Sequence, residues 1–431
     1  MTINRGKVIL LNAASMFLAA SMFGAVESQV FNQHVLQVLG ASAWHLTLMV
    51  STSAVMGSIT SILFGVLSDN WKNQANRRKP FILWGGIGCS VFMILFIATK
   101  NFWACYIIDG FVIAFASNAF YTGQRVIIAE NVPIGERGKV NGIANAFFGL
   151  GFVLFAILMV AFLLLDVSGS GGDLFARIEF LPEWVQFWIA VVSAFVILAS
   201  AMVYAITVKE QPASYQPARF RQALRGTLNI QALRENGKFS RFFTAYFVLG
   251  VSVRIIAPYI VTFIATFGFS LGEIIIFLLS YVAAMIAGNV VFGKCCDLFG
   301  RKRITIILVV INGFTFVGAA FAAGFHLGIG WIVGFMVPAL FTWQGYTTTT
   351  NAWSNDLLPE DKRTSFLGIL NLVFSACQVP GVLIGASIYE TFGIAWVFLP
   401  AGIWALGSFP LFFRVKETFS RKSQGMLLSS E

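Results

Sequence analysis

The chain has 431 residues, of which 58% are hydrophobic and only 11% charged, with a net charge of +10. A soluble domain carries about 25% charged residues, so a water-facing globule is excluded. The apolar runs are about twenty residues long, which is the length a helix needs to cross a bilayer and twice that of a barrel strand.

In chain order, the hydropathy pattern predicts helical spans at 8–31, 43–67, 80–99, 102–130, 139–166, 184–208, 241–266, 272–294, 303–324, 327–354, 364–389 and 394–413. The first run is full length, so it is expected to be a retained span and not a cleaved signal. Two connections are long: the Gly/Ser-rich 167–183 stretch and the polar, basic 209–240 stretch. The predicted fold is therefore an all-α membrane protein with twelve transmembrane helices. Its expected parts are an N-terminal six-helix bundle at 1–208, a linker at 209–240, a C-terminal six-helix bundle at 241–413 and a tail at 414–431.

The basic residues set an orientation. Of the 29 lysines and arginines, all but Lys100, Arg177, Arg125 and Arg254 fall on the side that carries both termini. The positive-inside bias makes that side cytoplasmic, most simply in the cell membrane. The same asymmetry accounts for the positive charge as topology, so nucleic acid is not an expected partner. The five cysteines lie in or beside spans, without metal-ligand spacing, and read as apolar filler.

The two halves repeat. Gly65-x-x-x-Asp69 recurs as Gly293-x-x-x-Asp297, and Glu130-x-x-Pro133-x-x-x-Arg137 as Asp356-x-x-Pro359-x-x-x-Arg363. Gly142-Ile143 and Asn145 recur as Gly368-Ile369 and Asn371 at nearly the same offset. An even number of spans per half brings both halves in and out on one side. That is a parallel repeat about a pseudo-twofold along the membrane normal.

"GKCCDLFGRKR" (293–303) and "AENVPIGERG" (129–138) resemble the loop signatures of the major facilitator superfamily, and the resemblance covers nearly the whole chain. The longer first-half loop ending in "RRKPFI" resembles that of the sucrose-carrier and glycoside-pentoside-hexuronide branch. So does "SNAFYTGQRVIIAEN" (117–131), with Asn118, Arg125 and Glu130 matching. That branch places a proton-accepting aspartate where this chain has Ala114, and the second span lacks the carboxylate of the branch's sodium-coupled members. The resemblance implies secondary transport by alternating access between the two bundles.

No nucleophile triad, metal cluster or phosphate loop is visible, so neither an enzyme nor a resident cofactor or metal is expected. Ionisable groups inside spans cost about 2.5–3.5 kcal/mol on an insertion scale and tend to be functional or paired. Glu27 in span one is the expected proton-coupling residue. Arg254 in span seven occupies its pseudo-equivalent position, and a pair between them, broken by protonation or by an anionic substrate, is expected. At 1.5 Å per residue Arg125 lies roughly 8 Å from the inner lip and Glu27 roughly 28 Å. Arg125 therefore reads either as a substrate residue, by resemblance, or as part of the inner gate.

Asn118, Tyr121 and Gln124 on span four, with Trp343, Gln344, Tyr346 and Asn351 on span ten, are the remaining candidate substrate residues. They offer the donors, acceptors and aromatic faces a sugar needs. Asp69, Arg77, Arg78, Glu130 and Arg137, and their counterparts Asp297, Arg301, Arg303, Asp356 and Arg363, are expected to form a duplicated cytoplasmic gate. The expected substrate is a small polar solute, a sugar or glycoside first, with an organic anion or an exported amphipathic compound as alternatives. A channel or a non-transporting sensor fits less well. Beyond lipid, substrate and protons no partner is expected, and one chain should suffice.

Glycines are the expected points of close helix crossing: Gly142, Gly149 and Gly151 in span five, Gly381 and Gly385 in span eleven.

Overall fold

A computed structural model describes residues 5–71, 73, 76–132, 137–169, 181–208, 210, 237–267, 269–357, 373 and 375–418. The predicted 209–240 linker and the 414–431 tail are thus largely, and the first part of span eleven mostly, outside the described residues.

All the described long elements are helical. They are α1 (Arg5–Ala25), α2 (Ala43–Asp69), α3 (Lys79–Ala98), α4 (Phe102–Ile107), α5 (Ala114–Asn131), α6 (Arg137–Gly169) and α7 (Glu183–Thr207), then α8 (Gly237–Ile256), α9 (Ile260–Thr266), α10 (Leu271–Phe299), α11 (Arg301–Gly324), α12 (Ile329–Leu357), α13 (Gln378–Phe392) and α14 (Phe398–Phe413). Among the described residues ten helices are long and apolar enough to cross a membrane. α12 and α13 occupy the places of predicted spans ten and eleven.

Three stretches wind more widely than an α-helix, as π turns: Val26–Phe31, His34–Val38 and Ile108–Ile113. The first two carry span one on to Val38, past the predicted end at Phe31. Hydropathy stops the span there because Asn32, Gln33 and His34 follow. In the fold all three are buried. Asn32 Nδ2 donates to Ser28 O at 2.6 Å, and His34 Nε2 lies 3.0 Å from Thr99 O. These partners offset the burial of Asn32 and His34.

The chain divides into two compact units, one of residues 1–226 with 258–275 and the other of 227–257 with 276–431. Within the first unit α1 packs on α6 and α7, α3 on α5 and α7, and α2 on α5. Within the second, α8 packs on α13 and α14, and α11 on α12 and α14. The packing of the first span on the fifth and sixth, and of the third on the fourth and sixth, is thus used twice.

Small residues make these crossings. A Cβ added to Gly85 would lie 2.7 Å from Ala116 O, and one on Gly86 2.5 Å from the Ala201 methyl. So α3 touches α5 on one side and α7 on the other. In the second unit a Cβ on Gly402 would meet Gly313 O at 2.6 Å, joining α11 to α14. Ser90 Oγ donates to Ala194 O at 2.8 Å and Ser252 Oγ to Ala401 O at 2.7 Å. Where lipid removes most of the hydrophobic drive between helices, such contacts hold a bundle. Gly151 and Gly381 are close-approach points as expected, against Leu18 O and the Arg254 backbone. Gly149 is not: nothing lies within 4 Å of a Cβ there.

Candidate functional site

In the first unit the candidate residues gather on α1, α2 and α5 and the π turns between them. Glu27 is the second residue of the Val26–Phe31 turn and is partly exposed. Its Oε1 accepts from Ser53 Oγ of α2 at 3.3 Å. Tyr121 of α5 meets Phe23 of α1 edge to face at 6.1 Å. Asn118 is buried, and its amide donates to Ala114 O one turn back, at 2.9 Å. Gln124 is partly buried. The Arg125 side chain is outside the described residues.

A residue missed in the sequence stands beside this group. Asp109 is the second residue of the third π turn, is 2% exposed, and its Oδ1 is buried without a hydrogen-bond partner. Glu27 and Asp109 act electrostatically on each other, and both act on the buried Cys89 of α3. The signal was an acid inside an apolar run, "CYIIDGFVIAF" (105–115), the same signal that singled out Glu27.

In the second unit Arg254 is partly buried on α8, against Gly381 of α13. Its charge acts on Tyr246 and Cys377. Tyr346 is 4% exposed and belongs to the core of this unit with Phe242, Leu249, Leu308, Trp353 and Phe412. Trp343 packs against that core. The Gln344 side-chain stem lies by Gly288, whereas Asn351 is exposed. Tyr346 therefore sits with the packing residues, and Asn351 stands apart from it. Glu27 and Arg254 fall in different units.

The expected gate residues are described in part. Arg77 and Arg78 are buried, 3% and 4% exposed. Arg78 Nη1 donates to Ser68 Oγ at 3.1 Å. Arg301 Nε pairs with Asp356 Oδ2 at 2.9 Å, joining the start of α11 to the end of α12, and Arg301 Nη1 donates to Cys296 O. Arg303 is exposed. The side chains of Asp69, Glu130, Arg137 and Asp297, and all of Arg363, lie outside the described residues.

A second acid pair shows the repeat more plainly. Glu210 Oε2 accepts the Arg78 backbone N–H at 2.9 Å, at the start of α3, and Glu210 Oε1 accepts from Tyr204 at 3.3 Å. Glu417 accepts the N–H groups of Arg301 at 3.2 Å and Lys302 at 3.0 Å, at the start of α11. The acids that follow α7 and α14 thus cap α3 and α11. A carboxylate there meets unsatisfied N–H groups and the positive end of the helix dipole. Its sequence signal is the repeated Val208-Lys209-Glu210 and Val415-Lys416-Glu417. Gly300 makes the second cap possible, with φ 96° and no room for a Cβ, which would lie 2.8 Å from Glu417 Oε2.

The profile of the Major Facilitator Superfamily matches residues 9–243 and, a second time, 242–426. The chain belongs to the major facilitator superfamily. It is a multi-pass integral membrane protein and a transporter, not an enzyme. A "Multi-drug resistance efflux pump PmrA homolog" of Lactococcus lactis subsp. lactis (strain IL1403) is 29% identical over 190 residues, 43% of this chain and 46% of that one. "Multidrug resistance protein 3" of Bacillus subtilis (strain 168) is 30% identical over 154 residues, 34% of this chain and 28% of that one. The chain thus spans less than half the length of these curated relatives. Among solved structures, a bacterial homolog to the human lysosomal transporter Spinster, inward-facing and occupied, superposes with TM-score 0.72 at 15% identity, over 97% of this chain and 98% of that one. The nucleoside transporter NupG superposes with TM-score 0.70 at 16% identity, over 95% and 99%. At such identities the likeness is one of fold.

Proposed function

We propose that this transporter exports amphipathic compounds in exchange for protons, by alternating access of its two units. The observation that carries the reading is the acidic group in span one, Glu27, held by Ser53 and one helical turn beyond Phe23, whose ring meets Tyr121. An acid that exchanges a proton beside aromatic rings suits a substrate that is greasy over most of its surface and polar or cationic at one end. The drug-efflux names of the two relatives favour the same class.

The sugar reading is weaker on physical grounds. Sugar hydroxyls need free donors and acceptors, but much of the polar face proposed for them is used locally. The Asn118 amide is bonded to its own helix, Thr347 and Thr348 donate to Trp343 O and Gln344 O, and Tyr346 is packed in a core. Serine and threonine bonds of this kind are ordinary helix chemistry.

In this reading the basic segments face the cytoplasm of the cell membrane, and 209–240 links the two bundles. Gln124 in the first unit, and Arg254, Trp343 and Gln344 in the second, are proposed to contact substrate. Arg301–Asp356 belongs to the gate on the cytoplasmic side. The test is accumulation of ethidium in everted vesicles under an imposed proton gradient. Gradient-dependent uptake that is lost in Glu27→Gln supports the reading. Gradient-dependent movement of radiolabelled lactose with no movement of ethidium defeats it.

A further inference from the structure

Glu27 and Asp109 are joined through one short stretch of α2. Thr52 packs on Gly110, where an added Cβ would come within 3.2 Å of its methyl, and its hydroxyl lies 3.1 Å from Tyr106 Oη. The next residue, Ser53, holds Glu27. Asp109, beside Gly110, and Glu27 therefore flank the Thr52–Ser53 step. Cys89 of α3 lies within reach of both charges, and Cys105 of α4 within reach of Asp109. Among the described residues, Glu27 is the charged group that acts on Asp109. Both acids also sit in π turns, which occur often at functional sites and re-aim the side chains they carry.

We propose that Asp109 and Glu27 form one proton-exchange site, in which Asp109 is the inner carboxyl and Glu27 the accessible one. Glu27 and Asp109 act on each other's charge, and two carboxylates coupled in this way repel when both are ionised, so the pair shares a proton and titrates as a unit. The environments assign the places. Ser53 donates to the partly exposed Glu27, while the buried Asp109 Oδ1 has no hydrogen-bond donor. The step moves one proton: it leaves the Asp109 carboxyl and joins a Glu27 oxygen, leaving Asp109 ionised, and no other bond changes. Glu27, being partly exposed, exchanges that proton with water. Use of the site for transport rests on the proton-exchange reading above, but its existence does not.

The test needs no substrate. Infrared difference spectra of the purified protein in detergent, taken across a pH titration, report the C=O stretch of a buried protonated carboxyl. The expected result is one such band in the wild type, lost in Asp109→Asn and titrating over a changed pH range in Glu27→Gln. Ser53→Ala keeps both carboxyls and is expected to shift the titration of the same band, which covers the case of an Asp109→Asn protein that does not fold. A band unchanged in Asp109→Asn, or a titration indifferent to both Glu27→Gln and Ser53→Ala, overturns the proposal. The two readings fail separately. The stated band behaviour without proton-driven ethidium export leaves this site standing and removes the export reading. Proton-driven export that Asp109→Asn leaves intact, with no titrating band, does the reverse.

Discussion

Replacing Glu417 tests the duplicated cap. Its carboxylate receives two backbone N–H groups at the start of α11, from Arg301 at 3.2 Å and Lys302 at 3.0 Å. Hydrogen bonds to a charged group contribute about 1.5–3 kcal/mol, and loss of a helix cap costs about 0.5–2 kcal/mol. Glu417 is partly exposed, which argues for the lower part of these ranges. Glu417→Ala should therefore destabilise the protein by about 1–2 kcal/mol. Glu417→Gln, which keeps an acceptor but loses the charge, should cost about half as much. For a unit of some 200 residues this is a fall in melting temperature of a few degrees, readable by thiol-dye or tryptophan thermal unfolding in detergent. Gly300→Ala should match or exceed Glu417→Ala, because it loses the same cap and also strains a φ of 96°. If Glu417→Ala and Glu417→Gln melt with the wild type, the cap contributes nothing and the reasoning is wrong.

Other outcomes follow from the same packing. Glu210→Ala should lower the melting temperature by a similar amount, since it releases the Arg78 N–H and the Tyr204 hydroxyl. Gly381→Ala forces a methyl onto Arg254, whose carbonyl carbon would be 2.9 Å away. It should cost about 1–3 kcal/mol by overpacking and slow ethidium export, whereas wild-type stability in that variant would show that the crossing can relax. Trp353→Ala removes a fully buried ring and the Nε1–H bond to Lys416 O, and should cost about 3–5 kcal/mol, seen as loss of monodisperse protein on gel filtration. Asp356→Asn breaks the ion pair with Arg301 across a side chain 37% exposed. It should change melting by less than about 1 kcal/mol but alter the rate of export more than the apparent affinity for ethidium, and a pure affinity defect would remove Asp356 from the gate.

Much of the fold is legible in the sequence because lipid makes hydropathy and length decisive. The helix ends Lys79, Glu183, Ile394 and Phe413 fall within a residue of their predicted places. The parallel repeat is legible because Gly65/Asp69 and Glu130/Arg137 return in register. Hydropathy fails where polar residues are buried inside the bundle, so span one was cut short at Phe31 although it runs through Asn32, Gln33 and His34 to Val38. The π turns carry no sequence signature. The candidate site was half legible. Glu27 stood out as an acid in an apolar run, and Asp109 carries the same signal and was overlooked. The cap acids carry no role in the sequence alone, since only the fold brings Glu210 to Arg78 and Glu417 to Arg301. Likewise only the fold buries Arg77 and Arg78.

The most direct test of the account is proton counterflow in proteoliposomes holding the purified chain and a trapped pH dye, after ethidium is added outside without an imposed gradient. Proton exchange with ethidium predicts a dye response that saturates with ethidium concentration, is absent in protein-free vesicles and is lost in Glu27→Gln. Ethidium entry with no proton movement, or an equal response in Glu27→Gln, would contradict it.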